Sequence, residues 1–436
     1  MLLAACGGPA PSSSAAPSGG SNAPIVTATP APGAVVPAPG SSSTVYPPNP
    51  GAVVVAIDPG HGGCLDWGVA NPYDNKPAKS EKADTLGIAL ALKQMLEAQG
   101  ITVVLTRAAD EALAGDNYPS YGCNGPDWRD VNGDGVAGFG PNVPEATRTR
   151  DELSARIDVA NVARADLAIS IHINSMTQGG QVFKIAATQT YYTDASSWAD
   201  ASKQLAGDVQ DGVVSSMADA ASYDRQDRGI DGTAPYLYLL KPPGSADNEP
   251  RRGLLMPAIL TEVGSMSLEA ESELLSGQAG YDAAARGIFD GIAAYLRDRP
   301  LVARIDALIP DGAAGAQPTA VPGNGPPFWP AVAPSDGALS LRLTNTGSSA
   351  WPAGLRLVAG WAATDMPYLA AAPDGLAPLD PEIPALQPGE SVELPVTLPA
   401  PAGDGRQVVW IALDGPDGTA LTASGSPALQ LGNAGP

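Results

Sequence analysis

The sequence is poor in several things, and each shortage narrows what it can be. Only 24 of 436 residues are Lys or Arg against 46 Asp or Glu, a net charge of −22 that argues against a nucleic-acid polyanion as partner. Charged residues are 16% of the chain and aromatics 5%, so the surface is not a charge-laced one. No apolar run approaches the roughly 18 residues of a membrane span. There are two histidines and three cysteines. What is abundant is Gly (50) and Pro (44), the material of loops and linkers, alongside 44% hydrophobic residues, enough for real cores. At 436 residues the chain accommodates about two domains plus tails.

The composition changes along the chain. Residues 7–50 are almost entirely Ser, Pro, Ala, Gly, Thr and Val, which reads as a disordered spacer within a 1–50 leading region. Cys6 follows Leu3-Ala4-Ala5 and resembles the lipobox of bacterial lipoproteins, in which the cysteine is lipidated; with only Met1-Leu2 ahead of that tripeptide, the expected start lies further upstream. From 51 to 299, short β-branched runs (52–57, 101–105, 167–171, 257–260) alternate with amphipathic stretches around Ile88–Leu96, Leu153–Ala160 and Ile288–Leu296. That alternation predicts an α/β domain with a mostly parallel twisted sheet flanked by helices. Residues 108–147 interrupt it as a Gly/Asp-rich insertion. A Pro/Gly/Ala linker is expected at 300–327, and 328–436 reads as a small all-β sandwich from its runs at 339–343, 391–394 and 408–411.

Both histidines sit at strand ends. Asp58-Pro-Gly-His61-Gly-Gly63 follows the first strand and Ser170-Ile-His172-Ile-Asn174 closes the third, while Glu262 ends the apolar run at 257–260. Ligands of open α/β sheets gather beyond the carboxyl ends of strands, so these three groups point to one shared site. Two imidazoles, a carboxylate and a water form the catalytic zinc pattern. Glu81 is the candidate carboxylate; an acid in the first turn of a helix, favoured by the helix dipole, explains it equally well. In the insertion, Asp130, Asn132 and Asp134 match the opening of a calcium loop, but Pro141 stands where the twelfth-position glutamate belongs, and a plain Asn-Gly-Asp-Gly turn explains the same letters. Cys64 and Cys123 form a candidate disulfide that spacing alone leaves open.

Residues 51–299 resemble the zinc-dependent N-acetylmuramoyl-L-alanine amidases of the type-3 amidase family. The resemblance is carried by Val54 to Gly63, Glu81-Lys82, Val103 to Arg107, Arg156 to Asn161, Asp166 to Ser175, Asp227 to Ile230 and Met256 to Gly264, in the family's order. It implies zinc held by His61, Glu81 and His172, Glu262 as catalytic acid/base, and peptidoglycan as substrate, cut between N-acetylmuramic acid and L-alanine. It also implies action outside the cytoplasm, with a membrane anchor if Cys6 is lipidated. Two positions depart from the family: Gly264-Ser-Met-Ser-Leu268 replaces the usual Gly-Phe wall, and Asp231 stands where lysine is common. Arg228, Arg251 and Arg252 are candidate substrate contacts; solvated surface charge is the alternative. The tail, with Trp329, Trp351, Trp361 and Trp410, resembles the immunoglobulin-like four-tryptophan domain, a spacer or envelope-binding module without a site of its own. A zinc hydrolase of another amide or peptide, and an inactive envelope-binding lipoprotein, are the competing readings. Oligomeric state is not legible.

Overall fold

A computed structural model of the chain describes residues 43–46, 53–63, 66–114, 130–132, 150–178, 181–233, 237–240, 253–310, 331–364, 369, 371–403 and 405–433. Cys6, Cys64, Cys123, Asp134, Arg251, Arg252 and Trp329 lie outside the described residues, as does most of the 108–147 insertion.

In chain order, β1 (Ser43–Tyr46) precedes the α/β domain, which comprises β2 (Val54–Pro59), α1 (Glu81–Glu97), β3 (Thr102–Leu105), α2 (Arg150–Val162), β4 (Leu167–Asn174), the short hairpin β5 (Thr177–Gln178) and β6 (Gln181–Val182), β7 (Ala186–Tyr191), α3 (Ala199–Ala220), β8 (Arg225–Asp231), β9 (Ala258–Ser265), α4 (Glu269–Leu275) and α5 (Gln278–Arg297). Its six-stranded sheet runs β3-β2-β4-β9-β7-β8. Every neighbouring pair is parallel except β7 with β9. The mostly parallel sheet is therefore as expected from the sequence. Strand β2 shows why: all six of its residues are buried, with Val55 and Ile57 on one face and Val54 and Ala56 on the other. A strand covered on both sides needs apolar side chains at every position.

The two faces are covered differently. Val55 and Ile57 pack with Ile88, Leu92 and Leu96 of α1, Leu205, Val209 and Val213 of α3, and Ile288 and Ile292 of α5. Val54 and Ala56 pack with Ile157 and Ala160 of α2, with Trp198, and with Val358, Trp410, Ala412 and Ala428 from the C-terminal region.

That region is all-β. It contains β10 (Ala303–Pro310), β11 (Ala338–Asn345), β12 (Arg356–Ala363), β13 (Ala377–Pro378), β14 (Ser391–Thr397), β15 (Gln407–Asp414) and β16 (Leu429–Gly432). They form two four-stranded antiparallel sheets, β1-β10-β11-β14 and β13-β12-β15-β16, around a shared core that includes Ile305, Leu341, Leu343, Leu357, Ile411 and Leu429.

Two boundaries expected from composition are corrected here. The linker placed at 300–327 begins with a strand: Ala303, Ile305, Ala307 and Ile309 alternate into the sandwich core, a period-2 pattern that the surrounding Pro and Gly obscure. The spacer placed at 1–50 contributes β1, which pairs antiparallel with β10 from Ser43↔Pro310 to Tyr46↔Ala307. The backbone hydrogen bonds of an edge strand, not its composition, order that segment.

Candidate metal centre

Three elements deliver the site. The turn after β2 carries His61, the first residue of α1 is Glu81, and β4 carries His172. Nε2 of His61 lies 3.2 Å from Glu81 Oε2, and Nδ1 of His172 lies 3.0 Å from Glu81 Oε1. The two imidazole rings meet edge-on, centroids 4.7 Å apart and planes at 77°. Glu81 is thus more than an acid in a first helical turn. Its side chain is 3% exposed, and its oxygens also accept the backbone N–H groups of Val69 (2.7 Å) and Ile173 (2.9 Å).

The turn that aims His61 is strained and held. His61 has φ 61°, the left-handed region that non-glycine residues rarely adopt. Its carbonyl accepts Arg156 Nη2 at 2.6 Å. Pro59 O accepts Arg107 Nε (2.9 Å) and Arg156 Nη1 (2.8 Å), Gly60 O accepts Arg107 Nη2 (3.0 Å), and Gly63 O accepts Lys82 Nζ (2.6 Å). Arg156 is itself buried between Asp58 (2.8 Å) and Glu152 (2.8 Å). Burial disfavours its charge, and the two acids more than reverse this, so it stays firmly cationic. Three buried cations therefore fix the backbone from which His61 projects. Glycine is needed twice: a Cβ at Gly60 would sit 2.5 Å from the His172 ring, and one at Gly68 2.4 Å from Glu81 Oε2.

Asp66 sets the orientation of His61, with Oδ1 2.6 Å from Nδ1. Burial works to raise the Asp66 pKa, but His61 holds it below the ordinary carboxylate value, so Asp66 is an ionised acceptor and Nδ1 carries the proton. Without a metal, Nε2 carries a proton as well, directed at Glu81 Oε2, and a bound ion would displace that proton to reach the lone pair. Burial works against a charge on His61, but Glu81 and Asp66 raise its pKa well above the usual imidazole value. Burial likewise opposes ionisation of Glu81, and His61 and His172 keep it an anion.

Two imidazoles and a carboxylate suit zinc. The two imidazoles meet different oxygens of the same carboxylate, at 3.2 and 3.0 Å, so Glu81 is shared by both rings. Among the described residues this is the one group of three His, Cys, Asp or Glu side chains whose ligand atoms come within 4.8 Å of one another.

Glu262 stands on β9, directly in register with His172 of β4 on one side and Gln189 of β7 on the other. Its Oε2 is buried with no hydrogen-bond partner among the described residues. Burial, helped by the negative charge of Glu81, pushes its pKa well above the usual carboxylate range, with His61 opposing. A buried oxygen without a partner, close to two imidazoles and a carboxylate, marks a candidate functional group.

The remaining candidates are placed differently. The described part of the calcium-type loop, residues 130–132, is pinned by Asp151 of α2, which accepts the N–H groups of Val131 (2.8 Å) and Asn132 (3.1 Å); nothing there supports a calcium site. Arg228 lies on β8, with Nη1 3.2 Å from the Met176 sulfur. Asp66, Lys82, Arg107 and Arg156 were given no role by sequence reasoning. The last three stand within the family-like blocks, but only the fold shows their groups converging on one turn.

The chain is similar to known proteins. The family profile described as N-acetylmuramoyl-L-alanine amidase matches residues 55–294. The germination-specific N-acetylmuramoyl-L-alanine amidase of Bacillus subtilis is 24% identical over 246 residues, covering 56% of this chain and 81% of that protein. An N-acetylmuramoyl-L-alanine amidase of Mycobacterium tuberculosis is 24% identical over 271 residues, 59% of this chain and 91% of that one. The crystal structure of an N-acetylmuramoyl-L-alanine amidase from Clostridium difficile 630 is similar at 28% identity and a TM-score of 0.39, covering 57% of this chain and 98% of that one. Since the profile spans more than half of the 436 residues, the chain belongs to the N-acetylmuramoyl-L-alanine amidase family.

Proposed function

We propose that this protein hydrolyses the amide joining the lactyl group of N-acetylmuramic acid to L-alanine in peptidoglycan, with His61, Glu81 and His172 as zinc ligands and Glu262 as general acid/base. The observation that carries the reading is the His61–Glu81–His172 cluster, at 3.0 and 3.2 Å, beside the buried and unpartnered Oε2 of Glu262. A zinc ion, when bound, supplies Lewis-acid polarisation of the scissile carbonyl and makes a water acidic enough to be a nucleophile near neutral pH.

The chain's own groups do the rest. Asp66 keeps the proton on Nδ1 of His61, so that Nε2 is the donor atom offered to the centre. Arg107, Arg156 and Lys82 hold the turn in its strained conformation, so the ligand position is set before substrate arrives. With the positive charge of a bound ion nearby, Glu262 would be ionised, accept a proton from water and deliver it to the departing amine of L-alanine.

Peptidoglycan lies outside the cytoplasm, and the protein would act there. A lipid on Cys6 would hold it at the membrane, a reading that rests on the Leu-Ala-Ala-Cys sequence. The test is digestion of purified sacculi with zinc-loaded protein and a chelated control, with products identified by mass spectrometry. Free peptides beginning with L-alanine, released with metal alone, are expected. Intact sacculi with zinc bound would contradict the reading.

A further inference from the structure

A cavity of about 510 Å³ opens beside the candidate centre, within the range of small-ligand pockets. Asn174 and Met176, two and four residues beyond His172, line one side, and Gln189, the register partner of Glu262, lines another. Phe183 supplies an apolar wall, 38% exposed at the lip. Arg228 is the charged side chain of the lining.

The charge is available. Among the described residues Arg228 pairs with no carboxylate, and its one hydrogen bond is to the Met176 sulfur at 3.2 Å. Two acids flank it in sequence, and both are turned to other tasks. Asp227 accepts Gln210 Nε2 (2.6 Å) and the Gly229 N–H (2.8 Å), and Asp231 accepts the Thr233 N–H and hydroxyl (2.8 Å each). In a chain at −22, the general field repels anions, so recognising one requires a cation placed locally.

The position of the cavity says which end of the substrate reaches it. On the amidase reading, Glu262 returns a proton to the leaving amine, so the amine side of the scissile bond departs over β9. Beyond β9 lies β7, and Gln189 and Tyr191 of that strand line the cavity. We infer that this pocket receives the peptide on the amine side of the cleaved bond and that Arg228 binds a free carboxylate carried by that peptide. Asn174 and Gln189 offer amide groups to the peptide backbone, and the Met176–Phe183 wall packs on its aliphatic parts. The inference rests on the amidase reading for the identity of the substrate. It makes Arg228 a binding and selectivity residue rather than a catalytic one.

Two synthetic muramoyl peptides test it, identical except that the second peptide residue carries a free α-carboxylate in one and a carboxamide in the other. With the zinc-loaded full chain, kcat/KM should favour the free acid by about 10- to 100-fold, the scale of a charge-assisted hydrogen bond to arginine. Arg228→Gln should bring that ratio to about one, chiefly through KM for the acid, and Arg228→Lys should restore part of it. A wild-type ratio near one, or a ratio unchanged in Arg228→Gln, would overturn the assignment while leaving the amidase intact. The free peptides, titrated calorimetrically, separate the two claims. Acid-selective binding that Arg228→Gln abolishes, with neither muramoyl peptide cleaved by the wild type, would uphold the pocket and sink the amidase reading. Absence of both binding and selectivity would end the inference.

Discussion

Trp410 of β15 packs against Trp198, ring centroids 5.8 Å apart, joining the C-terminal sandwich to the face of the α/β sheet opposite α1, α3 and α5. Neither ring is exposed. Trp198 Nε1 donates to Ser426 O at 3.1 Å, Arg164 Nη2 donates to Ala428 O at 2.6 Å, and Arg304 of β10 lies 3.7 Å from Asp166 at the entry to β4. The sandwich, which keeps its own core, is therefore docked on the α/β domain through a shared buried cluster.

It follows that Trp410→Ala should destabilise both regions together. Removing a buried tryptophan costs about 3–5 kcal/mol. Thermal unfolding should show one transition, lowered in the variant. Two transitions, with only the sandwich affected, would show that the domains fold independently.

The carboxylate behind His61 gives a second expectation. Asp66→Asn keeps the size of the side chain but removes the anion that fixes the Nδ1 proton, so zinc affinity should fall about 10- to 100-fold, as for other partners of metal-bound histidines. Competition with a fluorescent chelator measures this. Unchanged affinity would mean that Asp66 does not orient the ligand.

Legibility in the sequence followed the range of the interactions. His61, His172 and Glu262 could be found because each stands at the end of a β-branched run, a local pattern that the sheet converts into proximity. The three cations could not be assigned that way, since their work is to satisfy carbonyls of the turn at 59–63 from positions up to 97 residues away, and Asp66 acts only as the acceptor behind Nδ1 of His61. Strands β7 and β8 were missed for another reason. Their sequences, Ala186-Ala-Thr-Gln-Thr-Tyr191 and Arg225-Gln-Asp-Arg-Gly-Ile-Asp231, are polar, and β8 is an edge strand largely open to solvent. Pairing, not propensity, makes them strands. Trp410 reads as sandwich core from its apolar run, and only the docked domains show that its ring serves the interface.

The pH dependence of stability should carry the mark of Asp84 in α1. It is buried, accepting hydrogen bonds from Tyr281 Oη (3.0 Å) and Ser276 Oγ (3.2 Å), and burial lifts its pKa from 3.8 to about 7 against those bonds. A carboxyl whose folded pKa is raised loses its proton first in the unfolded chain. Its ionisation therefore erodes stability as pH rises from about 4 to about 7, and the loss is complete above that. Asp84→Asn should gain on the order of 2 kcal/mol over the wild type at pH 8, the gain shrinking toward pH 4. Urea melts across that range provide the check, and a pH-independent difference would refute the assignment.

The central claim is a division of labour between ligands and proton carrier, and a paired measurement of zinc content and turnover tests it most directly. Glu262→Gln should retain one zinc per chain while amide cleavage falls by about 10²- to 10⁴-fold. His172→Ala should lose metal and activity together. A Glu262→Gln protein that cleaves at the wild-type rate, or a His172→Ala protein that keeps its full zinc, would contradict the account.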